Sequence, residues 1–166
     1  MSLIQIKKVE TKNELKKFIE FHYDLYEGNV YDVPPLYSDE WNVLSKDKNP
    51  AFDFCEAEYF LALKDDKIVG RVAAIINHKA NKKWERKDVR FGWIEYIDDI
   101  DVSKALLTAV EEYGRSKGMD TIAGPLGFTD MDPEGMLTMG FDKLGTIATN
   151  YNYDYYPKHF EQLEGW

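Results

Sequence analysis

The stretch at residues 59–70 is YFLALKDDKIVG, in which two apolar runs flank a pair of aspartates. Apolar residues bounded by such a pair are typical of two antiparallel strands joined by a tight turn. We therefore predict a β-hairpin with strands over 58–63 and 67–76. Apolar and polar residues alternate again over 89–97, which predicts a further strand beside the hairpin. These three strands form the centre of the predicted sheet.

Helical patterns flank this central sheet on both sides. Thr11 and Glu14 form a capping box, and the apolar residues after them recur at helical spacing until Gly28. Ser103 can cap a second long helix, which Gly118 ends. The remaining predicted elements are a first strand at 4–9, a short helix after Ser38, a short buried strand at 121–123 and a last helix after Pro157.

The size and composition of the chain predict a single domain over residues 1–166. Its 166 residues are 44% hydrophobic, which is enough for one buried core. Cys55 is the only cysteine and the sequence has no signal-peptide pattern, so we expect a cytoplasmic location. No apolar run approaches the roughly 20 residues that span a bilayer, and no membrane partner is expected.

The charge of the chain disfavours polyanionic partners. Its formal net charge is −9 at pH 7, so nucleic acid is not an expected partner. The basic cluster at 79–87 is interpreted as a solvated loop. No metal site is predicted, because the histidines lack metal-ligand spacing and the acidic segment at 130–135 contains Pro133 and lacks the glutamate that completes a calcium loop.

The predicted order of strands and helices resembles that of the GCN5-related N-acetyltransferase (GNAT) superfamily. The stretch 59–70 is similar to the second and third strands of that family. The stretches NHKAN at 77–81 and GPLGFTDMDPEGM at 124–136 are similar to uncharacterised bacterial members. The resemblance implies an α/β (α+β) fold of three layers, in which a twisted mixed sheet carries helices on both faces.

The resemblance also implies acetyl-CoA or another acyl-CoA as cosubstrate, bound where the fourth and fifth strands splay apart. The implied contacts are Tyr96 and Ile97 on the fourth strand and Ser103, Lys104 and Ala105 at the start of the next helix. The phosphate loop of the family is Arg or Gln, two residues, Gly, one residue, then Gly or Ala. Residues 98–105 are instead DDIDVSKA, with three carboxylates and no glycine. Three explanations of this difference stay open: CoA binding is lost, the loop follows another geometry, or the acids simply cap the helix.

Two residues are candidates for acid–base catalysis. Glu95 lies where many family members place a general base, and strand alternation puts it on one face with Phe91 and Trp93. These apolar neighbours would raise the pKa of Glu95, although a purely structural carboxylate is the alternative. The frequent general acid of the family is a tyrosine four residues before a Gly-aromatic pair. Gly165-Trp166 leaves no hydroxyl at that place, so Tyr156, about one turn earlier, is the candidate acid.

The resemblance implies an acyltransferase that moves an acetyl or other acyl group from CoA to the amine of a small molecule or peptide. The alternative, which the acidic loop favours, is a catalytically silent GNAT-fold module that binds a ligand or partner within a larger protein. The family fold continues for two more strands, so this chain is expected to be a fragment or to replace them. We expect the segment 138–151 to fold back as a substitute strand beside Thr121–Ala123, because Ile147, Thr149 and Tyr151 alternate with other residues over 146–151. A homodimer is the second solution.

Overall fold

One mixed sheet organises the computed structural model, which describes residues 3–146 and 149–163. In the described residues the strand order is β1-β2-β3-β4-β5; the first four strands are antiparallel to their neighbours, and β4 and β5 are parallel. The strands are β1 (Gln5–Lys8), β2 (Cys55–Lys64), β3 (Lys67–Asn77), β4 (Asp88–Tyr96) and β5 (Thr121–Ala123). The predicted central hairpin is confirmed, and its turn residues Asp65 and Asp66 have φ of 50° and 61°.

Helices cover both faces of this sheet, which confirms the predicted fold class. The helices are α1 (Lys12–Leu25), α2 (Tyr37–Leu44), α3 (His78–Trp84), α4 (Ile100–Ser116) and α5 (Tyr155–Gln162), with a short 3-10 helix at Pro50–Asp53. One apolar cluster packs α1 and α2 on the sheet, and a second packs α4 and α5 on the opposite face. None of the helices described here has the length and apolar character needed to cross a membrane.

A β-bulge interrupts β4 and decides which way its side chains point. Trp93 and Ile94 both lie opposite Val72, and Trp93 has a φ of 47°. The extra residue reverses the alternation, so Phe91 packs in the cluster on the α4 side, whereas Glu95 faces α1. The prediction that Phe91 and Glu95 share a face is therefore wrong.

Two helix starts differ from the sequence-based prediction. The basic segment at 79–87 is not a simple loop, because the Asn77 side chain accepts a hydrogen bond from the Ala80 N–H and begins α3. The helix after β4 begins three residues before Ser103, and Asp99 is its N-cap. The Thr11 capping box at the start of α1 is confirmed.

The predicted substitute strand does not form in the described part of 146–151. Thr149 and Tyr151 belong to no strand, and the sheet there ends at β5. The preceding Gly145 N–H instead donates to the Tyr31 carbonyl over 2.8 Å, which ties this segment to the loop after α1. Ile147, on which the predicted alternation partly rested, lies outside the described residues, as does the Gly165-Trp166 pair. The homodimer stays a prediction.

The loop after β5 lies directly against β4. The Leu126 N–H donates to the Phe91 carbonyl over 2.9 Å, and a Cβ atom on Gly92 would collide with the Leu126 carbonyl oxygen. Only glycine therefore allows this close approach. The contact holds the first part of the 124–136 segment over the middle of β4.

We expect Gly92→Ala to lower the free energy of unfolding by about 1–3 kcal/mol, because the added methyl group overpacks a backbone contact. Urea unfolding measures this change. Thr108→Ala, on the exposed side of α4, is the control and should change stability by less than about 0.5 kcal/mol. Equal stability of the two variants would show that the close approach at Gly92 does not support the fold.

Candidate functional site

A cleft of about 590 Å³ opens between the connection from α1 to α2 and the long segment after β5. Residues 32–36 form one wall, and parts of 131–136 and 146–152 form the other. The floor comes from α1, β3, β4 and α5. Both predicted catalytic residues, Glu95 and Tyr156, line this cleft, so the fold brings together two side chains that are 61 positions apart in sequence.

Buried charged side chains form a network at the floor. The His22 Nδ1 atom lies 2.6 Å from Glu95 Oε1, and its Nε2 atom lies 3.0 Å from Asp32 Oδ2. The second Glu95 oxygen, Oε2, lies 3.0 Å from Arg71 Nη2 as a contact ion pair without hydrogen-bond geometry. His22, Arg71 and Glu95 are each at least 92% buried. The network joins α1, β3 and β4 around one carboxylate.

These contacts set the protonation states of the network. Burial lowers the pKa of His22, but the charge of Glu95 and hydrogen bonds with Asp32 and Glu95 outweigh burial and raise it to about 9. Burial raises the pKa of Glu95, but Arg71 and His22 outweigh burial and lower it. Near pH 7, Glu95 is thus a carboxylate and His22 an imidazolium. The expected rise in the pKa of Glu95 is wrong.

Two tyrosines of α5 form hydrogen bonds with the backbone groups at the end of β4. The Tyr96 N–H donates to the Tyr156 hydroxyl over 3.1 Å, and the Tyr155 hydroxyl donates to the Tyr96 carbonyl over 2.6 Å. The Tyr96 and Tyr156 rings stack at 4.3 Å. The Ile97 N–H is also engaged, by the Val69 carbonyl at 3.0 Å. The backbone N–H groups of both predicted contact residues, Tyr96 and Ile97, are therefore already bonded in this arrangement.

The start of α4 carries the other predicted cofactor contacts. Ser103 is fully buried and its hydroxyl donates to the Ile100 carbonyl and lies 3.1 Å from His159 Nδ1. Lys104 is exposed and Ala105 is half-buried. Ser103 thus joins α4 to α5, and the roles of all three residues toward a cofactor stay predictions.

The residues at this helix start do not fit the pyrophosphate of CoA in the position usual for the family. The Asp99 carboxylate accepts the Asp101 N–H over 3.0 Å and pairs with Lys64 at 2.7 Å. The Val102 N–H donates to the Asp99 carbonyl. Amides that would face a phosphate are therefore already bonded, and Asp98 adds a further negative charge nearby. Within residues 3–146 and 149–163, no cluster of His, Cys, Asp or Glu is placed to hold a metal ion.

Sequence reasoning missed His22, Asp32 and Arg71 as parts of the site. His22 follows the apolar spacing of α1, which indicated a core position and gave no sign of a charged partner. Glu95 is 73 positions away in sequence. Only the tertiary pairing of β3 with β4 and the packing of α1 bring these side chains together.

The imidazole of His22 should titrate near pH 9, against an ordinary histidine pKa of 6.5. NMR of the ring protons measures this value. Because the pKa is raised on folding, the stabilisation is complete below about pH 6.5 and is lost as pH rises through about 9. The free energy of unfolding should therefore fall with pH across this range, and fall less in His22→Gln. A titration at or below pH 6.5 would contradict the described network.

Two known proteins are similar to this chain in sequence. No family model matches the chain. Its sequence is 34% identical over 152 residues to Protein YghO of Escherichia coli, covering 92% of this chain and 39% of that protein. It is 33% identical over 135 residues to the bacterial ceramide synthase of Caulobacter vibrioides, covering 81% of this chain and 35% of that protein. The chain thus spans well under half the length of these curated relatives.

Two solved structures that match this chain at low sequence identity are acetyltransferases. An aminoglycoside acetyltransferase, meta-AAC0020, from an uncultured soil metagenomic sample and in complex with sisomicin, has a TM-score of 0.49 and 17% identity over 72% of this chain and 75% of that chain. AAC(6')-Iy in complex with the bisubstrate analogue CoA-S-monomethyl-acetylneamine has a TM-score of 0.48 and 21% identity over 74% and 78% of the two chains.

The sheet itself supports the family resemblance of the sequence. β4 and β5 are parallel but pair only from Asp88 to Arg90, and β5 then leaves β4 while α4 connects the two strands. This order follows an antiparallel run from β1 to β4 with helices on both faces. The chain thus has the fold class that the resemblance to the GCN5-related N-acetyltransferase superfamily predicts, a mixed sheet with helices on both faces.

Proposed function

We propose that this chain supplies the amine-binding cleft of an acyltransferase, which moves an acetyl or other acyl group from CoA to the amine of a small molecule or peptide. The observation that carries the proposal is the surplus of carboxylates in the cleft. Among its described lining residues, five are Asp or Glu and only Arg71 and His22 are basic. Such a surplus attracts a protonated amine.

Glu95 is the group that would remove the proton of the acceptor. A primary amine attacks the thioester carbonyl carbon only as its free base. The N–H of the attacking nitrogen becomes acidic as the new N–C bond forms, and the C–S bond then breaks and releases CoA as a thiolate, which takes up a proton. The Glu95 carboxylate is ionised and held in place by Arg71 and His22, so it can accept the proton of the attacking nitrogen despite its lowered pKa. Its orientation is fixed before the ligand binds.

Tyr156 is the candidate acid in the same cleft. Burial raises the pKa of its hydroxyl well above the usual range, so the group stays protonated and can donate. Its oxygen also covers the Tyr96 N–H, the backbone donor at the end of β4. A shift of Tyr156 would therefore free both a hydroxyl and an amide at one point of the cleft.

One relative supports N-acyl transfer in particular. The protein of Caulobacter vibrioides is named a bacterial ceramide synthase, and a ceramide contains an amide bond between an acyl group and an amine. This chain covers 35% of that protein. The proposal therefore concerns the acceptor side of the reaction, where the described residues form a cleft.

A catalytically silent module that binds a cationic ligand in this cleft is the second candidate. The acidic start of α4 favours it, because the family's phosphate position there is filled by the Asp99 cap. Calorimetric titration with acetyl-CoA separates the two candidates. Measurable binding favours the enzyme, and its absence at millimolar ligand favours the silent module.

The acids at the start of α4 should weaken CoA binding at this place. We expect the double variant Asp98→Asn and Asp101→Asn to bind CoA roughly 5- to 30-fold more tightly than the parent at low salt, because two repulsive charges are removed. Isothermal titration calorimetry measures the difference. Asp142→Asn, an exposed change outside the cleft and α4, is the control. If the parent binds CoA tightly and the double variant binds it equally tightly, the start of α4 does not repel the pyrophosphate, and the poor fit described above is contradicted.

Glu95→Gln should lower turnover by about 100-fold, because the amide cannot accept the amine proton. The measurement is amide formation from acyl-CoA and a primary amine, with thermal unfolding recorded in parallel. Glu58→Gln, which breaks a surface ion pair with Lys8, is the matched control and should keep full activity. If Glu95→Gln does not fold, Glu95→Asp keeps the charge and should show an intermediate loss. Unchanged turnover across pH would remove Glu95 from the mechanism.

A further inference from the structure

Exposed apolar side chains are concentrated in the two connections that supply the walls of the cleft. Among the described residues, ten large apolar side chains are exposed, and eight of them lie in the stretches 30–37 and 131–144. The eight are Val30, Tyr31, Val33, Leu36, Tyr37, Met131, Met139 and Leu144. Single exposed apolar residues are ordinary on a protein surface, but a contiguous group marks a place where apolar ligands or partners bind.

Three of these side chains line the cleft itself. Val33, Leu36 and Met131 are 42%, 68% and 89% exposed. Further apolar lining comes from Val43, Trp93, Met136 and four prolines, at 34, 35, 125 and 133. The paired charges lie below them, because Arg71, His22 and Glu95 are buried, whereas Asp39 is an exposed charge in the lining. Apolar side chains therefore make up most of the exposed lining above the buried charges.

Hydrogen bonds fix the two walls that carry these side chains. The Gly145 N–H donates to the Tyr31 carbonyl, and the Gly135 N–H donates to the Pro125 carbonyl over 2.9 Å. Asn152 binds both backbone groups of Leu137 through its side chain. These hydrogen bonds hold parts of both segments in place, so the exposed apolar side chains belong to walls with a defined conformation.

We infer that the amine bound at the floor carries a hydrocarbon chain, which leaves the cleft along Val33, Leu36 and Met131. This inference rests on the proposed function and names its acceptor class as long-chain primary amines. A short polar amine would leave the apolar walls in water, whereas an alkyl chain buries them. Each methylene group that is buried adds roughly a factor of four to the affinity.

Calorimetry with propylamine, octylamine and dodecylamine, each below its micelle concentration, tests the inference. Affinity should rise with chain length. Met131→Asn should weaken dodecylamine binding about tenfold and leave propylamine binding unchanged, because it places a neutral polar group in the path of the chain. Met139→Asn is the matched control, since Met139 is 79% exposed on the same segment but does not line the cleft.

The outcomes separate the chain site from the amine site. Equal affinity for all three amines, or equal effects of the two methionine variants, would overturn the chain site and leave the proposed amine cleft standing. Binding of dodecanol as tight as that of dodecylamine would support the chain site and contradict the amine cleft. Phosphatidylcholine vesicles test a third outcome. If the parent binds them and both variants abolish this binding equally, the walls contact a bilayer surface, and the site for a single chain is overturned.

Discussion

The ion pair between Arg71 and Glu95 is the interaction on which both fold and site depend. The guanidinium group lies in the sheet core, where it also donates to the Phe18 carbonyl over 2.8 Å and stands 5.0 Å from the centre of the Phe18 ring. A buried charge without a partner is strongly unfavourable, so neither side chain is tolerated there without the other. His22 completes the set from α1. The carboxylate that we place next to the acceptor is thus fixed by the same contacts that attach α1 to β3.

Local signals explain which parts of the fold the sequence predicts well. The Asp65-Asp66 turn and the Thr11 capping box act within a few residues, and both form as predicted. The surroundings of Glu95 could not be predicted in this way. One extra residue at Trp93 reverses the alternation of β4, and that bulge is set by pairing with β3. Glu95 lies in the cleft and its catalytic role stays a prediction, whereas the sign of its pKa shift depended on partners that no local pattern shows.

The start of α4 shows how far a shared fold determines shared chemistry. The sequence alone reveals the acids at 98, 99 and 101 and the missing glycines, and the structure shows the consequence. Asp99 uses its own carboxylate and carbonyl to bond the first amides of the helix, so the positive helix end is neutralised within the chain. A fold positions its elements, but binding depends on which groups those elements leave unbonded.

The two halves of the cleft differ in what constrains them. The floor consists of charges that lie on α1, β3 and β4 and must remain paired, so its chemistry can hardly change without loss of the fold. The walls belong to connections outside the sheet. Apolar residues there, such as Leu36 and Met131, are exposed and do not have to remain paired for the core to fold. In the proposed function, these walls would therefore recognise the part of the ligand beyond its charged group. The inferred ligand, with a cationic head and an apolar body, rests on this combination of a charged floor kept by the fold and largely apolar walls that are free of it.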